Sequence, residues 1–143
     1  MSTTKNMECT DFLEFQDSLK KMRQMDDKII YLLNTFLPTD SFRGQVDPTN
    51  QCKDLFQQIQ TGHLQREIAI KKYLDTSREN VKNLILQKVD GKDNIALLKN
   101  ISKEQKTLHL LQSELSVEEI VKNHTISAYN EKCRSYYKPN LQL

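Results

Sequence analysis

Hydrophobic residues recur at alternating steps of three and four along the first part of the chain. They occupy Phe12, Phe15, Leu19, Met22, Ile29, Leu33 and Phe36, and one acid, Asp26, stands in the same series. This spacing is that of a helix with a heptad seam. Asp11 and Glu14 form a capping pattern at its start, and Pro38 disfavours helical geometry in Leu37. The pattern predicts a first helix that ends at Leu37.

A second helix is predicted after the turn-rich segment PTDSFRGQVDP. Asp47 followed by Pro48 indicates its start, because the carboxylate accepts from free amides and proline suits the first helical position. Gly91 predicts its end, and Gly62 within it costs about 1 kcal/mol relative to alanine. Its apolar positions are Leu55, Phe56, Ile59, Ile68, Ile70, Tyr73, Leu74, Val81, Leu84, Ile85 and Val89.

A third helix is predicted from about Asp93. Its apolar face comprises Leu97, Leu98, Ile101, Leu108, Leu111 and Leu115. Ser116 and Glu119 then form a capping box, and the apolar register beyond them is displaced. The pattern therefore predicts a kink or turn at Ser116 and a fourth helix that ends near Tyr137.

These elements predict an all-α protein, an elongated antiparallel bundle of three long helices with the third jointed near Ser116 into a fourth. Only three glycines and three prolines occur in 143 residues, which also favours long helices. We expect a single helical bundle domain over residues 9–139. Residues 1–8 are predicted to be a disordered N-terminus, and residues 140–143 a loose C-terminus.

Charge and hydropathy exclude several classes of partner. The chain has 21 basic and 19 acidic residues, and a net charge of +2 gives no strong attraction to nucleic acid. No apolar run is long enough to span a bilayer, so no integral membrane segment is expected. The N-terminal sequence MSTTKNMECTDFLEF has neither a basic region nor an apolar core, so no cleavable targeting signal is expected.

The residues that could carry chemistry are scattered. The cysteines, Cys9, Cys52 and Cys133, have no short spacing, and the histidines, His63, His109 and His124, stand singly. Zinc sites need close ligand pairs, and no nucleophile elbow, P-loop or dinucleotide glycine pattern occurs. We therefore expect no catalytic residues, no cofactor and no metal, and the protein is predicted not to be an enzyme.

Asp26 is unusual because an acid on an apolar seam is costly unless it is paired. Arg66 or His63 of the second helix could pair with it and set the register; alternatively the seam is hydrated at this point.

The lengths of the predicted helices indicate whether Cys52 and Cys133 can lie close together. If the second helix and a straight third helix pack antiparallel, Cys52 lies level with Cys133, whereas a reversal at Ser116 separates them. Cys9 has no partner in this arrangement and is predicted to be an unpaired thiol. Both a disulfide and reduced thiols remain open, and composition favours reduced cysteines, as in cytosol.

Six segments in order, MRQMDDKIIYLLN, PTDSF, CKDLF, LLKNISKEQ, QSELSVEEIV and NEKCRSYYKP, together resemble the coiled-coil domain-containing protein 58 family. The resemblance spans roughly residues 9–139. It implies a small helical protein of the mitochondrial intermembrane space, with widely spaced cysteines and no catalytic residues. Such a protein is expected to support protein import into mitochondria through contacts with the import machinery.

The resemblance also implies a role for the cysteines. Cys52 with Leu55, Phe56 and Ile59 looks like a docking face for an intermembrane-space oxidoreductase during biogenesis, and Cys52 and Cys133 would then form a disulfide. Three cysteines leave one unmatched, which is a departure from a paired framework. The alternative hypothesis is a cytosolic coiled-coil adaptor with reduced cysteines that dimerises through its first helix.

Overall fold

The computed structural model of the chain describes residues 9–35, 48–89 and 95–138. It contains three α-helices, α1 (Cys9–Thr35), α2 (Thr49–Val89) and α3 (Ile95–Cys133), and no strand in the described ranges. The helices pack against one another, so the predicted all-α class is confirmed. No helix in these ranges is both long enough and apolar enough to cross a membrane.

The seam of α1 is confirmed where the structure describes it. Its apolar residues are buried at Phe12, Phe15, Leu19, Ile29 and Leu33, and Asp26 within the series is 3% exposed. These side chains are covered by the other helices of the same chain. The predicted helix end at Leu37 and the following loop lie outside the described residues.

The α2 helix begins at Thr49, one residue after the predicted first position Pro48. The amide of Cys52 donates to the carbonyl of Pro48 at 2.8 Å, which closes the first turn; Asp47 lies outside the described residues. Gly62 does not interrupt the helix, and a Cβ atom there would lie 3.3 Å from Nη1 of Arg66. The missing side chain leaves room for that guanidinium. The predicted terminator Gly91 is outside the described residues.

The predicted turn at Ser116 is wrong, because α3 is one helix of 39 residues that runs through Ser116. No separate fourth helix begins there. The buried side of α3 continues from Leu111 to Glu118, seven residues later, and then at steps of three and four through Lys122, Thr125, Tyr129 and Cys133. Polar residues thus occupy core positions in the second half of the helix, so a shift in the apolar pattern did not mean a shift in the helix.

Other predicted positions differ from the structure. The sequence pattern places Ile68, Ile85 and Leu98 at apolar positions, but in the structure these side chains are 58%, 40% and 45% exposed. The last helix ends at Cys133 rather than near Tyr137, and the amides of Tyr136 and Tyr137 both donate to the Cys133 carbonyl in the following turn. The predicted loose segments, residues 1–8 and 140–143, lie outside the described residues.

The packing forms two compact units. The first comprises residues 9–18, 67–89 and 95–117 of the described chain. Its buried residues are mostly apolar, and the ring of Phe15 stacks on that of Tyr73 with centroids 4.1 Å apart. Ser77 Oγ donates to Glu104 Oε1 at 3.2 Å, which joins α2 to α3.

The second unit comprises residues 19–35, 48–66 and 118–138. All three helices contribute to its apolar cluster, which consists of Ile29, Leu33, Cys52, Leu55, Phe56, Ile59, Tyr129 and Cys133. A buried set of charged residues lies in the same unit, and both features belong to the candidate site.

Candidate functional site

Cys52 and Cys133 meet in the second unit. Their sulfur atoms are 2.07 Å apart and their Cα atoms 5.8 Å apart, across a sequence separation of 81 residues. Cys52 lies in the first turn of α2, and Cys133 is the last residue of α3. The two cysteines are therefore at disulfide distance, as the antiparallel alignment with a straight α3 predicts.

Aromatic side chains enclose this pair. Both cysteines are fully buried, and the Tyr129 hydroxyl donates to the Cys52 carbonyl at 2.9 Å. The Phe56 ring lies 5.3 Å from that of Tyr129 and 6.3 Å from that of Tyr137. Burial raises the pKa of Tyr129 to about 12, and the nearby Tyr137 adds to the rise. The hydroxyl therefore keeps its proton near neutral pH and remains a donor.

The predicted docking face lies in the core of the folded chain. Leu55, Phe56 and Ile59 are between 1% and 4% exposed, and Cys52 has no exposed surface. They pack in the cluster with Ile29 and Leu33 of α1 and with Tyr129 and Cys133 of α3. A partner protein therefore has no access to this face unless the surrounding helices separate.

The third cysteine, Cys9, begins α1, but its side chain lies outside the described residues, and the prediction that it is an unpaired thiol lies there too. In the described ranges, no group of three or more His, Cys, Asp and Glu residues could hold a metal ion.

Arg66 joins all three helices through buried ion pairs. Its Nη1 lies 3.1 Å from Oδ1 of Asp26 on α1, and its Nη2 lies 3.3 Å from Oδ2. Its Nε lies 2.8 Å from Oε1 and 2.9 Å from Oε2 of Glu118 on α3. Arg66 is thus one of the two partners predicted for Asp26, and the hydrated seam is not observed.

Glu118 receives further donors. His63, the other partner proposed for Asp26, instead places Nδ1 2.8 Å from Glu118 Oε2. Arg23 on α1 donates from Nε to Glu118 Oε1 at 3.1 Å. Burial raises the pKa of this carboxyl, but the hydrogen bonds from Arg66 and His63 outweigh that effect and hold the pKa below its usual value.

Asp26 has a second partner on α3. The hydroxyl of Thr125 lies 2.7 Å from Asp26 Oδ2 and 3.0 Å from the Val121 carbonyl. Among the described residues, every buried side-chain nitrogen and oxygen atom has a hydrogen-bond partner. A satisfied buried network of this kind sets the register of the three helices, because sliding any helix by a turn would leave buried charges unpaired.

Sequence reasoning did not single out Glu118 or Thr125. The available signal was the spacing from Leu111, since Glu118 and Thr125 stand seven and fourteen residues after it, on the same side of a continuous helix. No family model matches this chain, and no solved structure matches it. The resemblance stated above therefore stays a prediction.

Proposed function

We propose that this chain is a non-enzymatic helical protein of the mitochondrial intermembrane space, and that it supports protein import through protein–protein contacts. The observation that carries the proposal is the buried pair Cys52 and Cys133 at disulfide distance. Stable disulfides form in oxidising compartments and are rare in cytosolic proteins. The pair therefore favours an oxidising compartment over the cytosolic adaptor, and the family resemblance supplies which compartment and which process.

The buried docking face gives an order of events in biogenesis. An oxidoreductase reaches Cys52 with Leu55, Phe56 and Ile59 only before the helices pack, so it acts on the reduced, unfolded chain. The Cys52 thiolate attacks the oxidoreductase disulfide, and a mixed disulfide forms as one enzyme thiolate leaves. The Cys133 thiolate then displaces the second enzyme thiolate. The chain loses two electrons and the oxidoreductase gains them as a dithiol.

An import assay tests the function. Mitochondria depleted of this protein are incubated with labelled precursor proteins, and the rate of protease-protected accumulation is compared with that of mitochondria carrying the wild-type chain. We expect slower accumulation that the wild-type chain restores, at an unchanged membrane potential. Equal rates in depleted and restored mitochondria would contradict a role in import.

Thiol mapping tests the compartment separately. Intact cells are lysed with an alkylating agent, and peptides are analysed without reduction. A linked Cys52–Cys133 peptide, found in the fraction released by rupture of the outer mitochondrial membrane, is the expected result. Alkylated Cys52 and Cys133 in the cytosolic fraction would support the adaptor instead.

A Cys133→Ser chain tests the order of events. It should accumulate a mixed disulfide with the oxidoreductase through Cys52, because the second displacement is blocked. Adding Phe56→Ser should reduce that mixed disulfide. The matched control Leu64→Ser, at a side chain that is 53% exposed in the folded chain, should leave it unchanged.

A further inference from the structure

The end of the first unit nearest the α2–α3 connection carries an apolar face. On α2, Val81 is half-buried and Ile85 is 40% exposed; on α3, Leu98 is 45% exposed and Ile101 is half-buried. The Ser77–Glu104 hydrogen bond fixes the level of the two helices. The α2 helix runs towards the connection at residues 90–94 and α3 runs away from it. Residues that follow Ser77 on α2 therefore lie beside residues that precede Glu104 on α3. The four side chains thus fall on neighbouring turns of adjacent helices.

Basic side chains border this face. The exposed ones are Arg78, Lys82 and Lys88 on α2, and Lys99, Lys103 and Lys106 on α3. From Arg78 to Lys106 the sequence has seven basic and four acidic residues, a net charge of +3, whereas the whole chain has +2. One of those acids, Glu104, bonds Ser77. The positive charge of the protein is thus concentrated beside its apolar face.

We propose that this basic apolar face, defined by Val81, Ile85, Leu98 and Ile101, binds an amphipathic helix of another protein that carries acidic residues beside its apolar stripe. Two adjacent helices present ridges between which a third helix packs. Acidic flanks on that helix would pair with the lysines that border the face. Exposure and charge alone define this face, so binding there is independent of the import role.

Charge disfavours a second copy of the chain on this face. A second copy would bring its lysine border against an identical lysine border, and like charges at an interface are unfavourable.

The test uses the oxidised full-length chain and a designed probe. The probe is a three-heptad helical peptide with leucine at the apolar positions and glutamate at the flanking ones; a matched peptide has lysine at every glutamate. Amide resonances of the ¹⁵N-labelled protein are followed during titration. We expect the glutamate peptide to shift resonances within residues 78–106, to bind more weakly as salt rises, and to bind at least about tenfold more tightly than the lysine peptide.

Variants locate the binding. Ile85→Ser with Leu98→Ser should weaken the glutamate peptide by about tenfold or more, since both side chains lose apolar area on the face. Leu64→Ser with Ile120→Ser is the matched control, because these side chains are 53% and 67% exposed elsewhere, and it should bind normally. Lys82→Glu with Lys99→Glu should reverse the preference and favour the lysine peptide.

Several results would overturn the proposal. These are no shift of residues 78–106 at millimolar glutamate peptide, equal response to both peptides, and equal binding by the control and face variants. Vesicles of phosphatidylcholine with about 30% phosphatidylserine are the lipid probe. If the wild type binds these vesicles but not the glutamate peptide, and the face variant does not bind the vesicles, the face is a lipid surface. A dimer that the face variant abolishes would make it a self-association surface.

Discussion

Arg66 Nε lies 2.8 Å from Oε1 and 2.9 Å from Oε2 of Glu118, and each side chain is 1% exposed. The same guanidinium binds Asp26, so one side chain of α2 neutralises a carboxylate from each of its neighbours. Burial lowers the pKa of Arg66, but the hydrogen bond to Glu118 and the charge of Asp26 raise it above its ordinary value. Arg66 therefore carries its positive charge at neutral pH.

Replacing Arg66 should be strongly destabilising. Arg66→Met leaves Asp26 and Glu118 buried without their main counter-ion, and breaking a buried pair costs about 3 to 5 kcal/mol. Urea unfolding followed by circular dichroism measures the change. Arg78→Met is the matched control, because the ion pair of Arg78 with Asp75 is exposed and is worth about 0 to 1 kcal/mol. Equal losses for the two variants would show that the buried network does not stabilise the fold.

The cost of Arg66→Met should be reduced when the carboxylates are removed with it. Asp26→Leu and Glu118→Leu in the same chain eliminate the unpaired buried charges, and an apolar replacement of an ionic cluster is often neutral or stabilising. We expect the triple variant to be more stable than Arg66→Met alone. The same urea titration makes the comparison, and a less stable triple variant would contradict this account.

Glu118 should make stability depend on acid. Its pKa in the folded chain is lower than the ordinary 4.5, so the unfolded chain binds the proton first. The ionised Glu118 contributes its full stabilisation above pH 4.5, the ordinary pKa, and this stabilisation is lost as the pH falls through the lower pKa of the folded chain. The urea concentration at the midpoint of unfolding, measured from pH 7 to pH 2, should decrease once the pH is lower than about 4.5.

Glutamine variants assign that acid dependence. Glu118→Gln should be less stable at neutral pH and should show a flatter decline in acid, because it has no carboxylate to protonate. Glu119→Gln should keep the wild-type profile, since Glu119 is 57% exposed and its pair with Lys122 is a local one, three residues along the same helix. A Glu118→Gln profile parallel to the wild type would assign the acid dependence to other groups.

Proline at position 117 tests the continuity of α3. A proline inside a helix removes a hydrogen bond and clashes with the preceding turn, at about 3 kcal/mol or more, whereas at the first position of a new helix it is tolerated. Because α3 runs through Val117, we expect Val117→Pro to be destabilised by that amount. Val117→Ala controls for the lost side chain, which is 40% exposed. Equal stability of the two variants would restore the predicted helix break at Ser116.

The buried cysteine pair should stabilise the chain and resist reduction. Cys52→Ala with Cys133→Ala removes a crosslink that closes 81 residues, worth at most about 4 to 5 kcal/mol on chain-entropy grounds. Since neither sulfur is exposed, dithiothreitol should reduce the native protein slowly and much faster in urea. Rapid reduction in native buffer would show that the pair is accessible.

The sequence alone determined the all-α class and the seam of α1, and it placed Cys52 level with Cys133 on the condition that the third helix is straight. Each of these follows from local rules, because residue spacing sets which side chains share a helix face and helix rise sets how far the chain reaches. Asp26 could be identified as needing a partner, and Arg66 could be proposed, since an unpaired acid on a seam is costly.

Only the tertiary structure decided that α3 continues through Ser116. Local signals at Ser116 and Glu119 favour a helix start, and the apolar register shifts there. Glu118 and Thr125 nevertheless belong to the buried side, because Arg66 and Asp26 stand opposite them. A polar residue can occupy a core position only when another helix supplies its counter-charge or hydrogen bond, and that partner is 52 residues away for Glu118 and 99 for Thr125.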